Sequence, residues 1–126
     1  MPWQYQPTAA KLLRTEKHEG YRLERIVLDL NGMEPVPAML LIPNRLQNPA
    51  PGLLYIHWHG GMYDLGKEQL LRGTDVQSAY APVCAELGVV TLAIDSWCFG
   101  ERKRDSNGHR GEEDTFKLML WQGRVL

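Results

Sequence analysis

The chain has 126 residues, enough for at most one domain, with 44% hydrophobic and 23% charged residues in ordinary globular proportion. A formal net charge of −1 gives no argument for a nucleic-acid or membrane-surface partner. No stretch approaches the roughly 18 apolar residues of a membrane span, and Met1 to Pro7 lack the basic start and apolar centre of a secretory signal, so a cytoplasmic location is predicted.

Taken in chain order, residues 1–20 read as a lead-in in which Thr8 caps a short helix, Ala9 to Arg14, that ends before Gly20. Tyr21 to Leu30 alternate imperfectly: Tyr21, Leu23, Arg25, Val27 and Asp29 share one face, and Arg22, Glu24, Ile26, Leu28 and Leu30 the other. That pattern predicts an edge strand with one wet face. Asn31-Gly32 signals a tight turn, and Val36 to Pro43 then form an antiparallel partner strand, with Pro37 near its start, where a lost donor is tolerated. Asn44 to Pro51 is a proline-punctuated loop.

The stretch from Gly52 to Gly61 organises the rest. It opens as an apolar run suited to a strand buried on both faces, placed at roughly 52–58, and ends in His57-Trp58-His59-Gly60-Gly61. The glycine pair frees the backbone to turn sharply and to approach a small ligand. Asp75 then caps a helix running to about Leu87, with Val76, Ala79, Tyr80, Val83, Cys84 and Leu87 on one face; Pro82 disturbs it and Gly88 stops it. Val89 to Asp95 is a second buried strand, parallel to the first across the helix. Ser96 to Gly111 is a loop. Glu112, Glu113 and Asp114 place acids in the first turn of a final helix, favourable at the positive end of its dipole.

The order hairpin, strand ending in His57-Trp58-His59-Gly60-Gly61, crossover helix, strand ending in Asp95-Ser96-Trp97-Cys98-Phe99-Gly100-Glu101-Arg102 resembles the amino-terminal half of an α/β-hydrolase. The nearest subgroup is the dienelactone hydrolase-like and acetyl xylan esterase-like enzymes, whose usual segment here is Asp-x-Arg-Gly-x-Gly-x-Ser. Trp97, Cys98 and Arg102 stand where that pattern has Arg, Gly and Ser. The resemblance implies an α/β fold over residues 1–126: a partial α/β-hydrolase sheet, truncated before the nucleophile strand. It also implies that backbone N–H groups of Gly60, Gly61 and Met62 serve an oxyanion hole, a donor set preorganised toward a tetrahedral intermediate. His59 and Trp97 are the candidates to line the substrate pocket. The alternative for the glycines is a plain strand-to-helix turn.

The family's Gly-x-Ser-x-Gly elbow is missing: Ser78, Ser96 and Ser106 do not lie between glycines at that spacing, and His109 precedes the last helix. The chain is therefore expected to be inactive alone, one wall of a serine-dependent ester or peptide hydrolase acting on a small ester. In that family's sheet order a further strand pairs with residues 53–58. Without it those residues form an exposed apolar edge, predicting self-association or docking of the missing carboxyl-terminal half. The competing non-enzyme reading is an assembly or remnant module using that edge.

His57 and His59, two apart, face the same way if they lie on a strand, and Asp95 at the end of the neighbouring strand would complete a His-x-His metal site. No third histidine or second acid lies at helpful spacing, so no metal and no cofactor is predicted. Asp95 reads instead as a loop organiser that caps the N–H of Trp97 or Cys98, while Glu101 and Arg102 pair locally or with the last helix. Cys84 and Cys98, at no metal-ligand spacing, read as reduced thiols, and Trp3, Trp58, Trp97 and Trp121 as core.

Overall fold

A computed structural model of the chain describes residues 9–30, 34–104 and 108–123. Five strands form one mixed sheet: β1 (Ala9–His18), β2 (Tyr21–Asp29), β3 (Pro35–Pro43), β4 (Gly52–Tyr55) and β5 (Val90–Ile94). Their spatial order is β1-β2-β3-β5-β4. The first three form an antiparallel meander, β5 runs antiparallel to β3, and β4 pairs parallel to β5. Helices α1 (Gln69–Arg72) and α2 (Ala81–Glu86) occupy the connection between β4 and β5, and α3 (Gly108–Trp121) follows β5.

The alternation read in residues 21–43 decides which side chains reach which face. Tyr21, Leu23, Met39, Leu41, Tyr55 and Ala93 form one core with Leu70 of α1 and Ala81 and Cys84 of α2. Ile26, Leu28, Val36 and Ala38 form a second cluster on the opposite face, joined by the partly buried Leu40, Leu92 and Ile94. Parity along each strand sorts them because successive side chains point to opposite faces.

Several boundaries differ from expectation. The helix over Ala9 to Arg14 is instead β1, paired with β2 from Ala9↔Asp29 to His18↔Tyr21. Its Ala, Leu, Lys and Arg residues are good helix formers, but intrinsic propensity is worth only tenths of a kcal/mol per residue (about 0–0.7), and backbone pairing to β2 overrides it. Consequently β2 is an inner strand rather than an edge, and the sheet has five strands rather than about four. β4 stops at Tyr55 instead of Trp58. The carboxamide of Gln69 takes over there: it accepts from the Trp58 N–H and donates to the Trp58 carbonyl, both at 3.0 Å. The expected helix from Asp75 starts only at Ala81, with proline in its first turn, where a missing N–H costs nothing. Before it, Thr74 and Gln77 bond each other's backbone, and Val76 is exposed. Helix α3 begins at Gly108, four residues before Glu112, so the acids lie in its second turn. Trp58 and Trp121 are exposed rather than core. Thr8, Trp3 and the Asn31-Gly32 turn lie outside the described residues.

Candidate functional site at the carboxyl ends of strands 4 and 5

The loops leaving β4 and β5 meet beside the start of α3. His57 is buried, and its Nε2 accepts from the Ser96 N–H at 3.0 Å. That bond leaves the ring proton on Nδ1, which lies 3.2 Å from the Trp58 carbonyl, so the network assigns His57 as a neutral bridge between the two loops. Its ring packs on Phe99, with centroids 4.8 Å apart.

His59 is the accessible histidine. Its Nε2 lies 2.9 Å from both carboxylate oxygens of Glu112, and its ring edges onto Tyr63 and Phe99. The Tyr63 hydroxyl donates to the same carboxylate at 2.8 Å. Burial resists ionisation of Glu112, but hydrogen bonds from Tyr63 and His59 and the positive charges of His59 and His109 outweigh it and hold the carboxyl below its usual range. Burial and the bond to Glu112 push the Tyr63 hydroxyl up.

Between His59 and Tyr63 the chain turns through Gly60 and Gly61, at φ +35° and +73°, and the Met62 N–H closes the turn on the His59 carbonyl at 3.3 Å. Positive φ at two consecutive residues is what glycine supplies without steric cost. The Trp58 ring lies where a Gly60 Cβ would sit. Of the three expected donors, Met62 therefore spends its N–H inside the turn. Gly60 and Gly61 are exposed, and their N–H groups meet no acceptor among the described residues.

Asp95 organises the loops, but not through Trp97 or Cys98. Fully buried, its carboxylate accepts from the Lys67 N–H at 2.8 Å, Lys67 Nζ at 2.6 Å and the Glu101 N–H at 3.1 Å. Lys67 is itself buried and also pairs with Glu101. The reason is spatial: Lys67 arrives from the β4 side, 28 residues away, and brings a charge that the local amides lack. Glu101 thus pairs across the loops rather than locally. Arg102 donates to Glu34 at 2.8 Å and to the Asp95 carbonyl at 2.9 Å, not to the last helix.

Trp97 stacks under the guanidinium of Arg102, 4.5 Å from its ring centre, and Arg104 lies at 5.3 Å. It keeps this company rather than that of His59, which sits with Tyr63, Phe99 and Glu112. Cys98 has φ +67°, a left-handed conformation costing a non-glycine residue roughly 1–2 kcal/mol. The resemblance pattern has glycine at this position. Its buried sulfur lies 3.4 Å from Thr115 Oγ1 of α3, and neither Cys98 nor Cys84 is in a disulfide. Among the described residues no group of three or more His, Cys, Asp or Glu side chains is placed to hold a metal ion, and no helix is long and apolar enough to cross a membrane. Gln69, Lys67, Tyr63, Phe99 and Glu112 build the site without having been singled out in the sequence.

No protein-family model matches the chain. It is 38% identical over 122 residues to a Bacillus subtilis (strain 168) protein named "Putative hydrolase YtaP", covering 95% of this chain and 39% of that protein. Among solved structures, a "putative acetyl xylan esterase" from Bacteroides fragilis NCTC 9343 superposes with a TM-score of 0.68 at 21% identity, over 93% of this chain and 33% of that one. The chain thus spans between a third and two fifths of the length of these relatives. Over nearly its whole length it is similar in sequence to a piece of the Bacillus protein and shares the fold of a piece of the Bacteroides protein, the likeness that its His-Gly-Gly and Asp-x-x-x-x-Gly segments implied.

Proposed function

We propose that the chain is the amino-terminal portion of a serine-dependent carboxylic-ester or peptide hydrolase, and that it supplies the oxyanion wall of the site without the nucleophile. The observation that carries this reading is the Gly60-Gly61 turn: two exposed amides at positive φ, unclaimed by any described acceptor, at the carboxyl end of β4. Such donors stabilise a developing oxyanion when they are fixed before the reaction, each contributing about 3–4 kcal/mol in known hydrolases. His59 borders the turn and is the residue of this chain best placed to touch a small ester. Alone, the chain should give no saturable hydrolysis of p-nitrophenyl acetate. A chimera in which it replaces the matching segment of the Bacillus relative should hydrolyse the ester. Saturable turnover by the isolated chain, or a chimera folded by circular dichroism yet inert, would refute the proposal.

A second reading concerns assembly. Among the described residues β4 pairs only with β5, and Leu53, Leu54, Ile56 and Trp58 are 46%, 55%, 62% and 45% exposed. An open apolar edge is a template for another strand. In a full-length hydrolase we assign this edge to the remainder of the polypeptide, and in the isolated chain to a second copy. Light scattering at tens of micromolar should show dimers or larger species, with Leu54→Lys shifting the population toward monomer. A monodisperse monomer of the unsubstituted chain would count against the assignment.

A further inference from the structure

A single carboxylate grips both ends of the glycine turn. Glu112 takes His59, the residue immediately before Gly60, through Nε2 at 2.9 Å, and Tyr63, two residues after Gly61, through its hydroxyl at 2.8 Å. It projects from α3, which contributes neither to the sheet nor to the principal core cluster, and whose Phe116, Leu118, Leu120 and Trp121 are exposed. One turn further along, Thr115 meets the sulfur of Cys98, so the same face of α3 touches the loop after β5 as well. Phe99 completes the packing, its ring stacked on Tyr63 with centroids 4.6 Å apart.

We infer that Glu112 is a positioning residue for the Gly60-Gly61 amides, acting through His59 and Tyr63 to hold the turn in one conformation. The inference deepens, and rests on, the reading of that turn as an oxyanion loop. The physical need is specific. The two glycines have wide conformational freedom, and one weak turn bond, at 3.3 Å, closes their loop. Without side-chain anchors at its ends the turn would sample many backbone states, and amides that must reorganise during reaction lose most of their electrostatic advantage. Charge-assisted bonds to a carboxylate are the stronger class of anchor, and Glu112 makes them on both sides.

Backbone relaxation by nuclear magnetic resonance on the full chain tests this directly. In the unsubstituted protein Gly60 and Gly61 should have order parameters near those of β5, about 0.85, and in Glu112→Ala and His59→Ala they should fall below about 0.6. The double variant should be no more mobile than Glu112→Ala, because that substitution already releases both His59 and Tyr63. Glu112→Gln, which keeps the shape and can still accept from Tyr63, should restore part of the order and serves if the alanine variants do not fold. A merely structural helix contact would lower the melting temperature and leave Gly60 and Gly61 as ordered as before; that result in Glu112→Ala and His59→Ala, or in Glu112→Gln where the alanine variants do not fold, overturns the inference. The oxyanion reading fails separately, if the folded chimera is inert while the order parameters respond as stated. In an active chimera Glu112→Ala should lower kcat by more than tenfold with little change in KM.

Discussion

Lys67→Met should destabilise the fold by about 3–5 kcal/mol, the usual result of removing one partner from a buried ion pair. The substitution nearly preserves volume, so the loss reports the charge. Asp95 is fully buried, and after the change it would keep only the amides of Lys67 and Glu101 as donors. For a domain of this size the melting temperature should fall by roughly 10–20 °C, a large share of a typical total stability of about 5–15 kcal/mol. Asp95→Asn should cost less than Lys67→Met, since the lysine keeps Glu101 at the more exposed end of the node. Combining Lys67→Met with Asp95→Asn should recover part of the loss, because neither charge is then left alone. Urea unfolding of the four proteins, compared at constant slope, measures each term. A Lys67→Met protein within about 1 kcal/mol of the parent would show that the node contributes little and that the two loops are held together by Phe99 and His57 instead.

That node also marks where the sequence stops being readable. Residues 21–43 announce themselves because alternation is a local signal and both faces are used: Leu23 and Met39 go to one core, Ile26 and Ala38 to the other. β1 carries no such signal. Nearly all of it is exposed, its composition suits a helix, and only the pairing partner decides its conformation. The early end of β4 is equally silent, since the group that replaces the ladder at Trp58 is a glutamine eleven residues on. A lysine after Gly66 in a polar loop reads as solvated, and nothing near it says that Asp95 waits in the next loop. Glu112 reads as a helix acid because charge at a helix start is a common pattern; its role comes from contact with residues 49 and 53 positions earlier. The resemblance to the esterase pattern did carry one hidden fact. Where that pattern has glycine this chain has Cys98, and the backbone there is left-handed. The neighbouring departures fit together too: with Trp97 in the place of arginine, the guanidinium over its ring is supplied by Arg102, in the place of serine.

Gly100→Ala and Gly66→Ala should each cost about 3 kcal/mol or more, whereas Gly60→Ala should cost about 1 kcal/mol, although all three glycines have positive φ. The left-handed backbone charges alanine a similar amount at every position, so the difference comes from what the new methyl group meets. At Gly66 and Gly100 it meets the Asp95 carboxylate, and Gly66 is also crowded by the Gly100 amide. That carboxylate cannot retreat, because two amides and the Lys67 ammonium hold it from different directions and the Gly100 N–H is itself committed to the Tyr63 carbonyl at 2.7 Å. At Gly60 the methyl group meets the Trp58 ring, the movable end of a half-exposed side chain that can rotate away into solvent. Stability and site geometry should therefore separate. Gly66→Ala and Gly100→Ala should unfold at markedly lower urea concentration with the slope unchanged. Gly60→Ala should unfold close to the parent while the amide resonances of Gly61 and Met62 shift. Equal losses at all three positions would mean that backbone conformation alone sets the cost, and that the two loops do not owe their close approach to a carboxylate for which only glycine leaves room.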